Sequence, residues 1–150
     1  MQLAYEKTPG MSDTNSSKPL LHLKNVKQHF PITAGLLRRQ AGTIKAVDGV
    51  NFDLMPQENL GLVGESGCGK TTLGRTILHL YRPTEGQILF KDVNLTQLKP
   101  SALRALRPKM QMIFQDPQDS LNPRMTVGSI IAEPLDEHSI LKGKDRSNRV

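Results

Sequence analysis

Tryptophan is absent from this 150-residue chain, and aromatic residues make up only 4% of it. Any core must therefore be aliphatic. There is one cysteine, Cys68, which excludes an internal disulfide and leaves no zinc-ligand spacing. The four histidines, His22, His29, His79 and His138, are scattered and read as surface or half-buried imidazoles, not as a metal site. No apolar run approaches the roughly 20 residues of a membrane span. The first residues also lack the apolar stretch of a secretory leader. These absences lead us to expect a cytoplasmic protein with no transmembrane segment of its own. The net charge is +6, but the basic excess is shared between the two halves of the chain. Its denser spots, Arg104, Arg107 and Lys109, and Lys142, Lys144, Arg146 and Arg149, have no aromatic residues interleaved for base stacking. They read as solvated basic faces, and no nucleic-acid partner is expected.

What is present is concentrated in one octapeptide. Residues 64–71 read Gly-Glu-Ser-Gly-Cys-Gly-Lys-Thr, which fits G-x-x-x-x-G-K-[ST], a loop that wraps nucleotide phosphates. Gly64, Gly67 and Gly69 allow a tight turn and close backbone approach to an anion. The N–H groups of Glu65, Ser66, Gly67, Cys68 and Gly69 can then form an anion nest. Lys70 brings a positive charge to the β- and γ-phosphates, and the Thr71 hydroxyl suits Mg²⁺. Thr72 follows in the first turn of a helix whose N-terminal end adds to the same field. The flanks agree. Asn59–Val63 is a short apolar strand, and Thr72–Tyr81 carries Leu73, Ile77, Leu80 and Tyr81 at helical spacing. Arg82-Pro83-Thr84-Glu85-Gly86 supplies turn chemistry. Cys68 lies inside the nest, so alkylation there is expected to block ATP binding and bound ATP to protect it.

Elsewhere, residues 1–19 are polar and predicted to be a disordered tail, with Met11 as an alternative start. Leu20–Val26 reads as a strand leading to Phe30, and residues 31–44 as a loop. Ala46–Leu54 reads as a strand interrupted or turned at Asp48-Gly49. Gln87–Phe90 and Lys109–Phe114 are further strands. Ser101 is a candidate cap for a short helix through Arg107. Thr126 is a candidate cap for a helix ending at Glu133, before Pro134, and Asp145 for a last helix.

With the loop, Phe30 and Gln115 in this order, the chain resembles the ATP-binding subunit of ABC transporters, in particular those of oligopeptide and dipeptide importers. The resemblance runs from about Leu20 to the C-terminus. It rests on Phe-Pro-Ile at 30–32 with Gly-Leu-Leu-Arg-Arg at 35–39, on residues 61–72, on Met-Ile-Phe-Gln-Asp-Pro at 112–117, and on Ser-Leu-Asn-Pro-Arg-Met-Thr-Val at 120–127. It implies an α/β fold, the P-loop NTPase core of an ABC ATPase, incomplete here, in 20–115, with the beginning of a helical subdomain in 116–150. It implies ATP and Mg²⁺ as ligands. Phe30 would stack on adenine, and Gln115 would join Thr71 at the metal and help place the attacking water. The implied partners are membrane-spanning permease subunits and a second ATP-binding subunit, and the implied location is the cytoplasmic face of the plasma membrane. Two departures concern turns: the family usually has glycine where Gln57 stands and near Asp92.

Hydrolysis on this scaffold also needs an acid on a neighbouring apolar strand to hold Mg²⁺ through water. The family supplies it as an apolar run ending in Asp-Glu. Neither Gln87–Asp92 nor Ile113–Asp116 fits, and the Leu-Ser-Gly-Gly-Gln signature and the later switch histidine are absent. The expectation is the N-terminal half of such a subunit, incompetent for hydrolysis, with an open edge on the phosphate-loop strand and a tendency to aggregate. Two other readings stay open. One is a small P-loop kinase, with Arg104 and Arg107 on a lid, which transfer of labelled phosphate to a small acceptor would reveal. The other is an inactive remnant or docking-only fragment.

Overall fold

A computed structural model of the chain describes residues 4–8, 18–34, 39–116, 120–138 and 140–150. Of the resemblance motifs, residues 35–38 and 117–119 lie outside the described residues, as does most of the tail expected at 1–19. The chain divides into two compact units, Met1–Lys99 and Pro100–Val150.

The first unit is built on an antiparallel sheet. Its strands are β2 (Leu21–Ala34), β3 (Arg39–Leu54), β5 (Glu85–Phe90) and β6 (Val93–Asn94), in the order β3-β2-β5-β6. A second, two-stranded sheet pairs β1 (Ala4–Thr8) with β4 (Asn59–Val63), also antiparallel. The buried positions of β2 are Leu21, Leu23, Val26 and Gln28. The step of three between Leu23 and Val26 marks a bulge, because a regular strand alternates faces every residue. Asn25 sits there at φ 48°. Its N–H donates to Asn51 Oδ1 at 2.7 Å, and Asn51 Nδ2 donates to the carbonyl of Gly49 at 2.8 Å. Asp48-Gly49 therefore does not interrupt β3, as the sequence suggested. It opposes the bulge and lets the strand continue.

The core is aliphatic. Leu23 lies opposite Phe52 on one side and Ile88 on the other. Leu73, from helix α1 (Lys70–Ile77), is also fully buried, and α1 rests on β2 and β3. Each such aliphatic side chain contributes about 1.5–3 kcal/mol by leaving water. The buried hydroxyl of Thr76 donates to the Thr72 carbonyl at 2.7 Å, so this polar group enters the core already paired. The helix ends four residues earlier than its apolar spacing suggested, because His79 turns left-handed at φ 55°. The His79 and Leu80 N–H groups then close onto the carbonyls of Thr76 and Arg75.

Several sequence expectations are corrected here. Residues 31–34 and 39–44, read as loop, are arms of the β2–β3 hairpin, with Pro31 opposite Thr43. Beyond Lys27 no residue of β2 pairs with β5. Pro31 thus stands where a missing N–H costs no second ladder. Residues 4–8, expected within the disordered tail, form β1. The phosphate-loop strand offered them unpaired backbone groups, and it consequently has a partner on one edge.

The second unit contains α2 (Pro100–Leu106), α3 (Val127–Glu137) and α4 (Gly143–Arg149). Pro100 occupies the first helical position, where its fixed φ suits the helix, so Ser101 is not the cap. Thr126 caps α3 as expected, its Oγ1 accepting from Ser129 N–H at 3.2 Å. The helix runs through Pro134 to Glu137 instead of stopping at Glu133. Asp145 lies in the first turn of α4 instead of capping it. Arg146 grips Asp136 through two bonds, at 2.5 and 2.6 Å, tying α4 to α3. Residues 109–114, expected as a strand, form none: Lys109 ends a short 3-10 turn, 111–114 have no regular structure, and Ile113 is 98% exposed.

Candidate phosphate-binding site

β4 delivers the chain to Gly64, and α1 begins at Lys70. The loop between them is the site. Gly69 occupies the cap position of α1 at φ 96°, and a Cβ there would lie 2.2 Å from the Ala46 carbonyl oxygen on β3. Only glycine fits this contact, which seats the loop on the sheet. A Cβ on Gly64 would meet Cys68 Sγ at 2.5 Å. The Cys68 N–H bonds to the Glu65 carbonyl at 3.2 Å and the Leu73 N–H to the Gly69 carbonyl at 2.8 Å, which joins loop to helix.

Lys70 folds back over the loop. Its Nζ donates to the carbonyls of Gly64 (2.5 Å) and Glu65 (2.7 Å) and lies 3.5 Å from Cys68 Sγ. These partners are neutral, and a phosphate oxygen makes a stronger, charge-assisted bond to an ammonium. Gly64, Glu65, Ser66 and Gly67 are exposed, so the mouth of the loop is open to solvent. Thr71 stands exposed in the first turn of α1 and Thr72 is half-buried beside it. A charged lysine held by neutral carbonyls, an exposed hydroxyl and a solvent-facing glycine loop form a donor set that fits a polyphosphate with its magnesium ion.

The other sequence candidates fall as follows. Phe30 is half-buried on β2, opposite Ile44. Its ring meets Tyr81 edge to face, with centroids 5.5 Å apart. Tyr81 accepts a hydrogen bond from Arg75 Nη1 at 3.1 Å, and the guanidinium lies 5.9 Å from its ring centre. Tyr81 was missed as the neighbour of Phe30, and Arg75 as the neighbour of Tyr81. Helical spacing had assigned Tyr81 to the apolar face of α1, and only the early end of the helix turns it toward β2. Gln115 is exposed in the second unit, in the segment without regular structure. Arg104, the imagined lid arginine of a kinase, is paired with Glu137 at 2.5 Å.

Ion pairs of the first unit line the sheet. His29 Nε2 and Asp48 Oδ1 are 2.9 Å apart, and Lys45 Nζ is 3.4 Å from Asp48 Oδ2. The hydrogen bond from His29 is the main reason the Asp48 carboxyl titrates below its ordinary range. The hydrogen bond from Lys27 does the same for Glu85 and raises Lys27 in turn.

A strand feeding a glycine loop, a lysine poised over that loop and a helix starting at the lysine define a nucleotide-phosphate-binding core of the P-loop type. Residues 47–149 match the family model for the ABC transporter, and the chain belongs to the ABC transporter family. It is 51% identical over 136 residues to the oligopeptide transport ATP-binding protein AppF of Bacillus subtilis, covering 90% of this chain and 41% of that protein. It is 47% identical over 133 residues to the glutathione import ATP-binding protein GsiA of Escherichia coli, covering 89% of this chain and 21% of that one. The chain thus spans well under half the length of these curated relatives. In structure it is similar to the dimeric cassette of the bacterial ABC transporter MJ0796. The TM-score is 0.62 at 24% identity, over 86% of this chain and 53% of that one. The fold is therefore the ABC ATPase type of P-loop NTPase, present in part. Family members in general bind ATP with Mg²⁺, and no helix among the described residues is long and apolar enough to cross a membrane.

Proposed function

We propose that this chain is part of the ATP-binding component of a peptide-type ABC importer. The observation that carries the reading is the Gly64–Thr71 loop, seated on β3 through Gly69, with Lys70 held over it by neutral backbone carbonyls. Sequence identity to a subunit named for oligopeptide transport and to one named for glutathione import supports the importer branch. On this reading the N–H groups of 65–69 and the Lys70 ammonium hold the phosphates, and Thr71 reaches the metal through its hydroxyl. Thr72 closes the first turn. Phe30 presents an apolar ring to the base. Bound ATP and Mg²⁺ supply the phosphoryl group and neutralise its charge; the residues here bind and orient it.

Residues 20–115 then belong to the ATP-binding core and 116–150 open the helical subdomain. The partners are permease subunits and a second ATP-binding subunit, at the cytoplasmic face of the plasma membrane. The claim made for this chain is nucleotide binding at the phosphate cradle. Binding of a fluorescent ATP analogue by the purified chain should be competed by ATP and weakened in a Lys70→Ala control. Binding that Lys70→Ala leaves unchanged would overturn the claim.

A further inference from the structure

Phe30 is braced by the segment that follows α1. The turn after the helix closes twice on one residue: the N–H groups of Leu80 and Tyr81 both bond to the Arg75 carbonyl, at 2.9 and 3.3 Å. The Arg75 side chain holds the same segment, its Nη1 donating to the Tyr81 hydroxyl at 3.1 Å. Three residues on, the Thr84 N–H bonds to the Lys27 carbonyl at 2.8 Å, and Thr84 Oγ1 accepts from the His29 N–H at 2.9 Å. Residues 81–84 are therefore tied to α1 at one end and to β2, one residue before Phe30, at the other. At the α1 end of this brace the Tyr81 ring meets Phe30 at 85°. In a T-shaped pair one ring occupies at most one face of the other. Tyr81 thus fixes the tilt of Phe30 and leaves it a face for a ligand.

On the reading of Phe30 as the ring that meets the base, we propose that Tyr81 is its positioning residue and Arg75 the anchor of Tyr81. Both Phe30 and Tyr81 are half-buried, and a half-buried ring with no such neighbour must be ordered when a ligand binds. Ordering one side chain at a binding surface corresponds to about two- to tenfold in affinity. A ring already held escapes that loss. Helix α1 also begins at Lys70, so the element that presents the ammonium to the phosphates sets the ring for the base.

Calorimetric titration of the full chain with ATP and, separately, with inorganic tripolyphosphate, which has no base, tests it with Mg²⁺ present throughout. Tyr81→Leu should weaken ATP by about two- to tenfold and leave tripolyphosphate unchanged. Tyr81→Phe, which restores the ring, should recover most of the loss. Arg75→Met, which frees the Tyr81 hydroxyl but keeps the ring pair, should show a smaller loss confined to ATP. Added to Phe30→Ala, Tyr81→Leu should cost nothing further, because the ring it positions is gone. ATP affinity unchanged by Tyr81→Leu, while Phe30→Ala lowers it, would overturn the role of Tyr81 and leave that of Phe30 standing. An equal loss of ATP and tripolyphosphate in Tyr81→Leu would also overturn it, because Tyr81 would then only support α1. ATP affinity unchanged by Phe30→Ala would overturn the reading of Phe30 itself, and the role of Tyr81 with it.

Discussion

Replacing Gln57 by glycine should stabilise the protein, and the size of the gain follows from one turn. Met55-Pro56-Gln57-Glu58 is closed by the Glu58 N–H bonding to the Met55 carbonyl at 3.2 Å. Gln57, at its third position, has φ 62°. With Pro56 at the second position this is a type II turn, whose third position requires positive φ. A non-glycine residue there costs about 1–2 kcal/mol. Glycine removes that cost but adds about 0.5–1 kcal/mol of unfolded-chain entropy. The net expectation for Gln57→Gly is a gain of about 0.5–1 kcal/mol, or about 1–4 °C in Tm. Asp92 provides the control. It has φ 65° beside Lys91 at φ 49° in the two-residue connection of β5 to β6, the paired positive φ values of a type I′ turn. Aspartate tolerates that conformation better than glutamine, and Asp92 also pairs with Lys18 at 2.9 Å. Asp92→Gly gives up the pair to gain the turn, and should fall within about 0.5 kcal/mol of zero. Urea unfolding, monitored alongside light scattering, measures both variants. A Gln57→Gly protein no more stable than the parent, or no different from Asp92→Gly, would refute the reasoning.

The ion pairs set a pH dependence. Asp48 and Glu85 are depressed in the folded state by hydrogen bonds from His29 and Lys27. Their contribution is complete above the unfolded carboxylate range and is lost as pH falls through the folded values. Stability should therefore decline below the ordinary carboxylate range, and Asp48→Asn should flatten that acid limb in a pH series of urea midpoints. An unchanged limb would remove Asp48 from the account. At the loop, Cys68 is buried beside the Lys70 ammonium. Its alkylation should block nucleotide binding, and ATP should slow the alkylation; labelling that ignores ATP would contradict the geometry.

The loop was legible in the sequence because its chemistry is local. Glycines at fixed offsets, a lysine and a threonine between a strand and a helix specify one cradle. The cap at Thr126 was legible for the same reason, since a side-chain oxygen finds an N–H within the same turn. Gln57 and Asp92 were visible as places where glycine was expected, and both indeed hold positive φ. What escaped depended on distant partners. Ala4–Thr8 looked like tail because its strand exists only through β4. Residues 31–34 and 39–44 looked like loop because Pro31 and Gly42 are poor strand formers until each arm finds the other. Residues 109–114 had strand composition and no strand to join. Tyr81 reached Phe30 only because α1 stopped early, which the apolar spacing could not show.

The central claim is that Gly64–Thr71 is a working phosphate cradle. Equilibrium titration of the full chain with ATP, with and without Mg²⁺, tests it most directly when repeated on Lys70→Ala. Saturable binding, tightened by Mg²⁺ and weakened about tenfold or more by Lys70→Ala, is the predicted result, the loss expected for one charge-assisted bond. Binding that Lys70→Ala leaves unchanged, or none by the folded parent chain, would contradict it.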